Sequence, residues 1–399
     1  MIEPQPRLWS KDFIVVSSVN FILTLIFYLL MVTIAVFAVE RFDASTSEAG
    51  LVTGIFIIGT LFGRLFIGRI IDVIGRKRTL FIGLIFFTLT TLLYFADFGV
   101  AFLMLNRLVH GCALGMASTA TGTIVAQIIP AARKGEGIGY YSMSATLATA
   151  IGPFIGLYMS QHTSFSVIFS FCTALGVLSI VIALFVKVPT LHAKPGTQKA
   201  KGFSLSSFVE PKALPIAVIT LGVAFCYSSV LSFINFYAME INLVETASFF
   251  FIVYSIAVLA SRPFTGRIMD ARGANFVMYP AFILFAAGML LLSQTGSSFA
   301  LLTAGALIGL GFGNMQSTTQ AVAIKVTEPH RMGLATSTFF IFLDAGLGFG
   351  PYILGLIIPH TGYPLLYMLM SAAIAAGGVL YYFLHGRKEA AENAAVPSL

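Results

Sequence analysis

Long apolar runs separated by short polar packets set the pattern of this chain. Twelve runs stand out, at roughly 13–39, 48–68, 79–96, 99–126, 137–159, 164–186, 213–237, 246–265, 275–294, 298–323, 333–358 and 363–384. About 20 apolar residues in a helix cross a hydrocarbon core of about 30 Å, so each run is long enough to span a bilayer. A transmembrane barrel would show shorter, alternating segments instead. The pattern therefore predicts an all-α membrane protein of twelve transmembrane helices. The longest polar stretch, 187–212, is rich in Lys, Pro and Gly and reads as a linker. It divides an N-terminal six-helix bundle, 1–186, from a C-terminal one, 213–386, and 387–399 reads as a tail.

The two halves repeat one another. "GRIIDVIGRK" begins at Gly68 and "GRIMDARGAN" at Gly266, and an offset of 198 residues relates Gly68, Arg69, Asp72 and Gly75 to Gly266, Arg267, Asp270 and Gly273. The same offset relates Arg64 to Arg262, Gly111 to Gly309, Gly115 to Gly313, Arg133 to Arg331, Gly135 to Gly333, Gly152 to Gly350 and Pro153 to Pro351. One register held over several spans and their loops indicates an internal duplication, giving two pseudo-symmetric bundles. Parallel repeats of this kind are a transporter architecture, with the substrate site expected at the repeat interface near mid-membrane.

Composition agrees with the pattern. The 399 residues are 58% hydrophobic and 10% charged, with a mean hydropathy of +0.93, where soluble domains carry about 25% charged residues. Cys112, Cys172 and Cys226 lie inside apolar runs without metal-ligand spacing, so they read as packing residues. The first run is too long for a signal-peptide core and reads as a retained span. The net charge of +7 is scattered between spans, which argues against nucleic acid as a partner. With both termini cytoplasmic, every Lys and Arg except Arg41, at an external loop, and Arg107, inside a span, falls on the cytoplasmic side. The positive-inside rule thus fixes the expected orientation in the cell membrane.

The packet from Gly68 to Lys77 resembles the loop between spans two and three of the major facilitator superfamily. Gly68, Asp72, Gly75, Arg76 and Lys77 stand at the motif's places, with Val73 where a basic residue is usual. The resemblance covers essentially the whole chain and implies the major facilitator fold. Glycine lets helices approach closely, and Asp72 at a membrane face can meet the positive N-terminal end of a neighbouring helix. By resemblance that neighbour is span eleven, and Asp270 makes the symmetric latch to span five. Arg133 and Arg331, equivalent by the same offset, are grouped with this conformational latch.

Within the spans a few residues suggest chemistry. Arg107 in "LNRLVHGCALG" resembles the superfamily's span-four arginine, with Gly111 four residues on and His110 where Gln is common. A charge inside a span is costly and usually functional. His110, one turn on, either titrates or simply hydrogen-bonds. Gly152, Pro153 and Gly156 resemble the span-five motif of antiporter branches, which implies a bend and close packing on span eight. Asp344, about 18 Å into span eleven, is a carboxylate near mid-membrane and suits a proton carrier, alone or with Arg107. If the family fold holds, Asn20, Tyr28, Tyr141, Tyr227, Asn235, Asn314 and Gln316 line a central cavity.

These readings exclude an enzyme, since no catalytic triad, phosphate-cradling loop or metal cluster is written in the chain. No cofactor is implied. The expectation is a monomeric secondary transporter working by alternating access, whose partners are a small-molecule substrate, protons and the lipid bilayer. The resemblance points to proton-coupled antiport, exporting an amphipathic, anionic or zwitterionic compound such as a drug or metallophore. A proton symporter or uniporter importing a small polar solute is the alternative.

Overall fold

The computed structural model describes residues 8–44, 46–188 and 208–395; most of the expected linker and the end of the tail lie outside the described residues. The described residues are nearly all helical. The first half runs α1 (Lys11–Phe42), α2 (Thr46–Ile74), α3 (Arg76–Leu92), α4 (Val100–Ile128), α5 (Lys134–His162) and α6 (Phe165–Leu184). The second half runs α7 (Leu214–Glu240), α8 (Val244–Arg272), α9 (Asn275–Ser293) and α10, which passes from Ser298–Ile308 through a π-helical turn at Gly309–Gly313 into Asn314–Lys325. A helix over Met332–Tyr381 follows, and non-helical backbone at Gly362 (φ 69°) divides it into α11 (332–361) and α12 (363–381). Together these are twelve helices, one for each apolar run of the sequence. A further short helix, α13 (Arg387–Ala395), lies within the expected tail.

Contacts gather the chain into two compact units. The first comprises Met1–Pro130, Ser144–Glu210 and Glu328–Ile341. The second comprises Ala131–Met143, Pro211–Thr327 and Phe342–Leu399. Each therefore holds most of one six-helix half together with the first turns of a helix from the other: α11 in the first unit, α5 in the second.

Inside each unit the duplicated glycines lie at close helix contacts. A Cβ on Gly111 of α4 would sit against the carbonyl of Phe56 in α2, and one on Gly309 of α10 would meet the carbonyl of Tyr254 in α8 at 2.6 Å. Phe56 and Tyr254 are themselves 198 residues apart, so the repeat is one of contacts as well as letters. Without a hydrophobic drive between helices in lipid, such backbone approach supplies packing energy. In the second unit α9 begins under a carboxylate from α13: Glu389 accepts the N–H of Ala274 at 2.6 Å and of Asn275 at 2.8 Å. A negative group there offsets the positive helix end.

Candidate functional site

Where α2 ends and α11 begins, the first unit carries a carboxylate clamp. Gly75, with φ 97°, turns the chain sharply between α2 and α3, and Gly273 does the same with φ 92° after α8. Only glycine takes such angles freely. The turn places Arg76 back over Asp72, with Nε donating to Oδ1 at 2.8 Å. The same guanidinium donates to Gln127 Oε1 and to the carbonyl of Pro329, both at 2.8 Å. Asp72 Oδ2 accepts the N–H of Gly333, at the start of α11, at 3.3 Å. One turn earlier in α2, Gly68 lies against Ser337, whose Oγ donates to the carbonyl of Arg64 at 2.5 Å. Arg331 is held at 2.6 Å by Glu210, whose own N–H donates to Thr338 Oγ1 at 2.9 Å.

The second unit has an equivalent clamp with different parts. Asp270 accepts the N–H groups of Gly135 and Glu136, at the start of α5, at 2.7 and 2.8 Å, and lies 3.1 Å from Lys325 Nζ. Backbone donors at a helix start aimed at a carboxylate form an anion-binding helix end. Glu136, itself buried, accepts from Arg133 at 2.7 Å and from Arg267 at 2.9 Å. Gly266 lets the two backbones meet, since a Cβ there would stand 2.6 Å from Glu136 Cα.

A separate buried network joins α2, α3 and α4 within the first unit. Arg107 is fully buried, donating from Nε to the carbonyl of Val52 and from Nη1 to Tyr94 Oη, both at 3.2 Å, and lying 4.2 Å over the Phe56 ring. Among the described residues its Nη2 has no hydrogen-bond partner and no carboxylate pairs with it. His110 Nδ1 is 2.8 Å from Tyr94 Oη and Nε2 is 3.3 Å from Thr91 Oγ1. Thr91 already gives its hydrogen to the carbonyl of Phe87 at 2.8 Å. The network thus assigns the Nε2–H tautomer, with the Tyr94 hydroxyl donating to Nδ1. Tyr94 also lines a cavity of about 400 Å³ at the ends of α1, α3 and α6, with Phe37, Glu40, Phe169 and the Arg41–Asp97 ion pair.

The remaining candidates are dispersed. Asn20 donates to Ser144 Oγ at 2.9 Å, and Tyr141 is buried in the second unit. Tyr227 stacks on Phe312 with 4.0 Å between ring centroids. Asn314 donates to Ser261 Oγ at 2.9 Å and accepts from Thr265 at 2.9 Å, which ties α8 to α10. Gln316 and Asp344 are half-buried. The side chain of Asn235 lies outside the described residues. Gly152 and Gly156 pack closely on α1 within the first unit. A Cβ on Gly152 would meet Tyr28 Cβ at 2.8 Å, and one on Gly156 would meet the carbonyl of Leu29 at 2.8 Å.

Sequence reasoning missed Glu136, Glu210, Lys325 and Tyr94. Glu136 carried a faint signal as an acid inside a basic, glycine-flanked loop, "RKGEG". Tyr94 carried none, because its partners lie on another helix.

The family profile described as Major Facilitator Superfamily matches residues 16–295 and again 243–398. An uncharacterized MFS-type transporter of Methanocaldococcus jannaschii is 24% identical over 384 residues, covering 94% of this chain and 96% of its own length. One of Burkholderia mallei is 26% identical over 399 residues, covering 96% and 95%. Among solved structures, the human organic anion transporter MFSD10 superposes with a TM-score of 0.76 at 13% identity, covering 94% of this chain and 100% of that one. FucP in its outward conformation gives 0.76 at 14% identity, covering 95% and 99%.

Proposed function

Since the chain belongs to the major facilitator superfamily and is a multi-pass secondary transporter, we propose that it is a proton-coupled antiporter. Its cargo is a small amphipathic compound bearing a carboxylate, anionic or zwitterionic, carried by alternating access and exported from the cytoplasm.

The observation that carries the cargo class is Arg107. A fully buried guanidinium with two long hydrogen bonds, one unpartnered nitrogen and no carboxylate among the described residues is an uncompensated cation inside the membrane. Such a group is costly unless an anion joins it for part of the cycle. A substrate carboxylate, reaching it past Tyr94, would replace the bonds to Val52 and Tyr94. Asp344 carries the proton, and the clamps at Asp72 and Asp270 are latches that close the cytoplasmic side in turn.

Transport into inside-out vesicles tests the whole reading, with labelled carboxylate-bearing amphiphiles compared against cationic dyes. Uphill accumulation driven by an imposed ΔpH is expected for the carboxylates. Asp344→Asn should abolish it while keeping downhill exchange at equal pH, and Arg107→Ala should abolish both. Accumulation of cationic dyes alone would refute the cargo class. Continued uphill transport by Asp344→Asn would move the proton elsewhere, with His110 the next candidate.

A further inference from the structure

Arg64 and Arg262 hold equivalent places in the two halves, yet their surroundings differ. In the first unit the Arg64 guanidinium lies 4.3 Å from the centroid of Phe340, on the first turns of α11, while Ser337 bonds its carbonyl. Subtracting the 198-residue offset from Phe340 and Ser337 leads to Ser142 and Gly139, on the first turns of α5 in the second unit. The aromatic cover is thus replaced by a small hydroxyl, which donates to the carbonyl of Ile138 at 2.8 Å. At Gly139 a Cβ would meet nothing closer than 3.9 Å, and what it would meet there is Arg262 itself. The helix start that covers Arg64 tightly leaves room beside Arg262.

Arg262 is 1% exposed. One nitrogen, Nη2, donates to the carbonyl of Gly313 at 2.8 Å, and neither Nε nor Nη1 has any hydrogen-bond partner. Neighbouring cations of the unit are compensated, Arg133 and Arg267 by Glu136 and Lys325 by Asp270. Among the described residues no carboxylate pairs with Arg262. Buried polar groups are almost always satisfied, and an unpaired charge within a span is costlier still. Its backbone-bonded nitrogen fixes the guanidinium while the other two remain open to a ligand.

We infer that Arg262 is an anion-binding residue that takes the carboxylate of an organic monoanion when the first turns of α5 lift away from α8. The single uncompensated charge matches a monoanion. Asp270 lies eight residues further along α8, about 12 Å along the axis, and grips the same α5 segment through Gly135 and Glu136. Opening that clamp uncovers Arg262, so the anion and the clamp compete for one state of the unit. The inference shares with the proposed function only the anionic cargo, and is independent of proton coupling and direction.

The test is the thermal unfolding midpoint of the full chain in nanodiscs, titrated with benzoate and with its uncharged amide. Benzoate should raise the midpoint of the wild type, because a ligand of the native state stabilises it, and benzamide should not. Arg262→Gln should weaken benzoate at least ten-fold, and Arg262→Lys by less. Ser142→Phe, which copies the cover over Arg64, should weaken it similarly, and since the benzoate shift is read against each variant's own unliganded midpoint, a change in basal stability does not decide the matter. Absence of a benzoate response in the wild type, or wild-type affinity in Arg262→Gln, overturns the inference. Arg107→Gln measured alongside separates the two arginines: loss there with Arg262→Gln unaffected removes this site and spares the proposed function. The converse result keeps this site and removes Arg107 from the proposal.

Discussion

Asp72 and Asp270 stand at equivalent positions, but the structure holds them differently. Asp270 accepts two backbone N–H groups from the helix it grips, at 2.7 and 2.8 Å, and a lysine besides. Asp72 accepts one, at 3.3 Å, and its strong bonds come from Arg76, four residues on across the Gly75 turn and within its own half. The cross-segment work in the first unit passes instead to Arg76, through the carbonyl of Pro329, and to the Glu210–Arg331 pair. A duplicated motif has therefore kept its letters while moving its grip from the carboxylate to the arginine beside it. The difference teaches that motif identity does not guarantee equal energetic weight at the two copies.

The largest expected effect is steric and falls on the second clamp. Gly266→Ala drives a methyl group to 2.6 Å from Glu136 Cα, and backbone on both sides cannot yield. Overpacking costs roughly 1–3 kcal/mol in general, so a value of about 3 kcal/mol is expected here, more than a hundred-fold in the opening equilibrium. Spin labels on the start of α5 and the end of α8 should report a separated population in the variant. An unchanged distance distribution would show that this contact is not what holds the segment.

Next come the carboxylates themselves. Asp270→Asn removes the charge and turns an amide N–H₂ toward at least one backbone N–H, which should favour opening by about 2 kcal/mol, roughly thirty-fold. Asp72→Asn should shift its own unit by about 1 kcal/mol or less, because Arg76 keeps Gln127 and the Pro329 carbonyl. The same distance measurement, applied at the starts of α5 and α11, reads both. Equal shifts would erase the asymmetry drawn from the bond lengths.

How much of this was legible beforehand follows from what duplicates and what does not. The twelve spans were readable because lipid demands long apolar helices, and the clamp carboxylates because Asp72 and Asp270 repeat at one offset, while the helices they meet were implied by the family resemblance. Glu136 was hidden because its equivalent is Leu334, so the repeat gave it no echo. Gly75 was legible as a glycine but not in its role, which is a positive φ at a turn and not close helix approach. The contact of Gly152 with Tyr28 of α1 was not legible, because a small residue advertises contact without naming the neighbour. Arg107 could be picked out as a buried charge, but its ties to Val52 and Tyr94 depend on how α2, α3 and α4 rotate against each other, which apolar periodicity on all-round hydrophobic helices does not specify.

The smallest expected effect is a coupling at Gly68, the counterpart of Gly266. A Cβ there would run into the Cβ and Oγ of Ser337, a side chain and not a backbone. A side chain can be trimmed, so the conflict should be curable from the other partner. Gly68→Ala is expected to loosen the start of α11 by about 1 kcal/mol. Ser337→Gly also weakens that contact by itself, because it removes the bond to the Arg64 carbonyl and puts a glycine into a helix. Combined in a double-mutant cycle, the two should cost less than their sum, with a coupling of about 0.5–1 kcal/mol, because the methyl group introduced at 68 then occupies the space vacated at 337. The analogous repair is impossible at Gly266, whose obstacle is the Cα of Glu136 and the nitrogen beside it. Strict additivity at Gly68 would mean that the first clamp, like the second, is limited by backbone contact, and the contrast between side-chain and main-chain closure would fail.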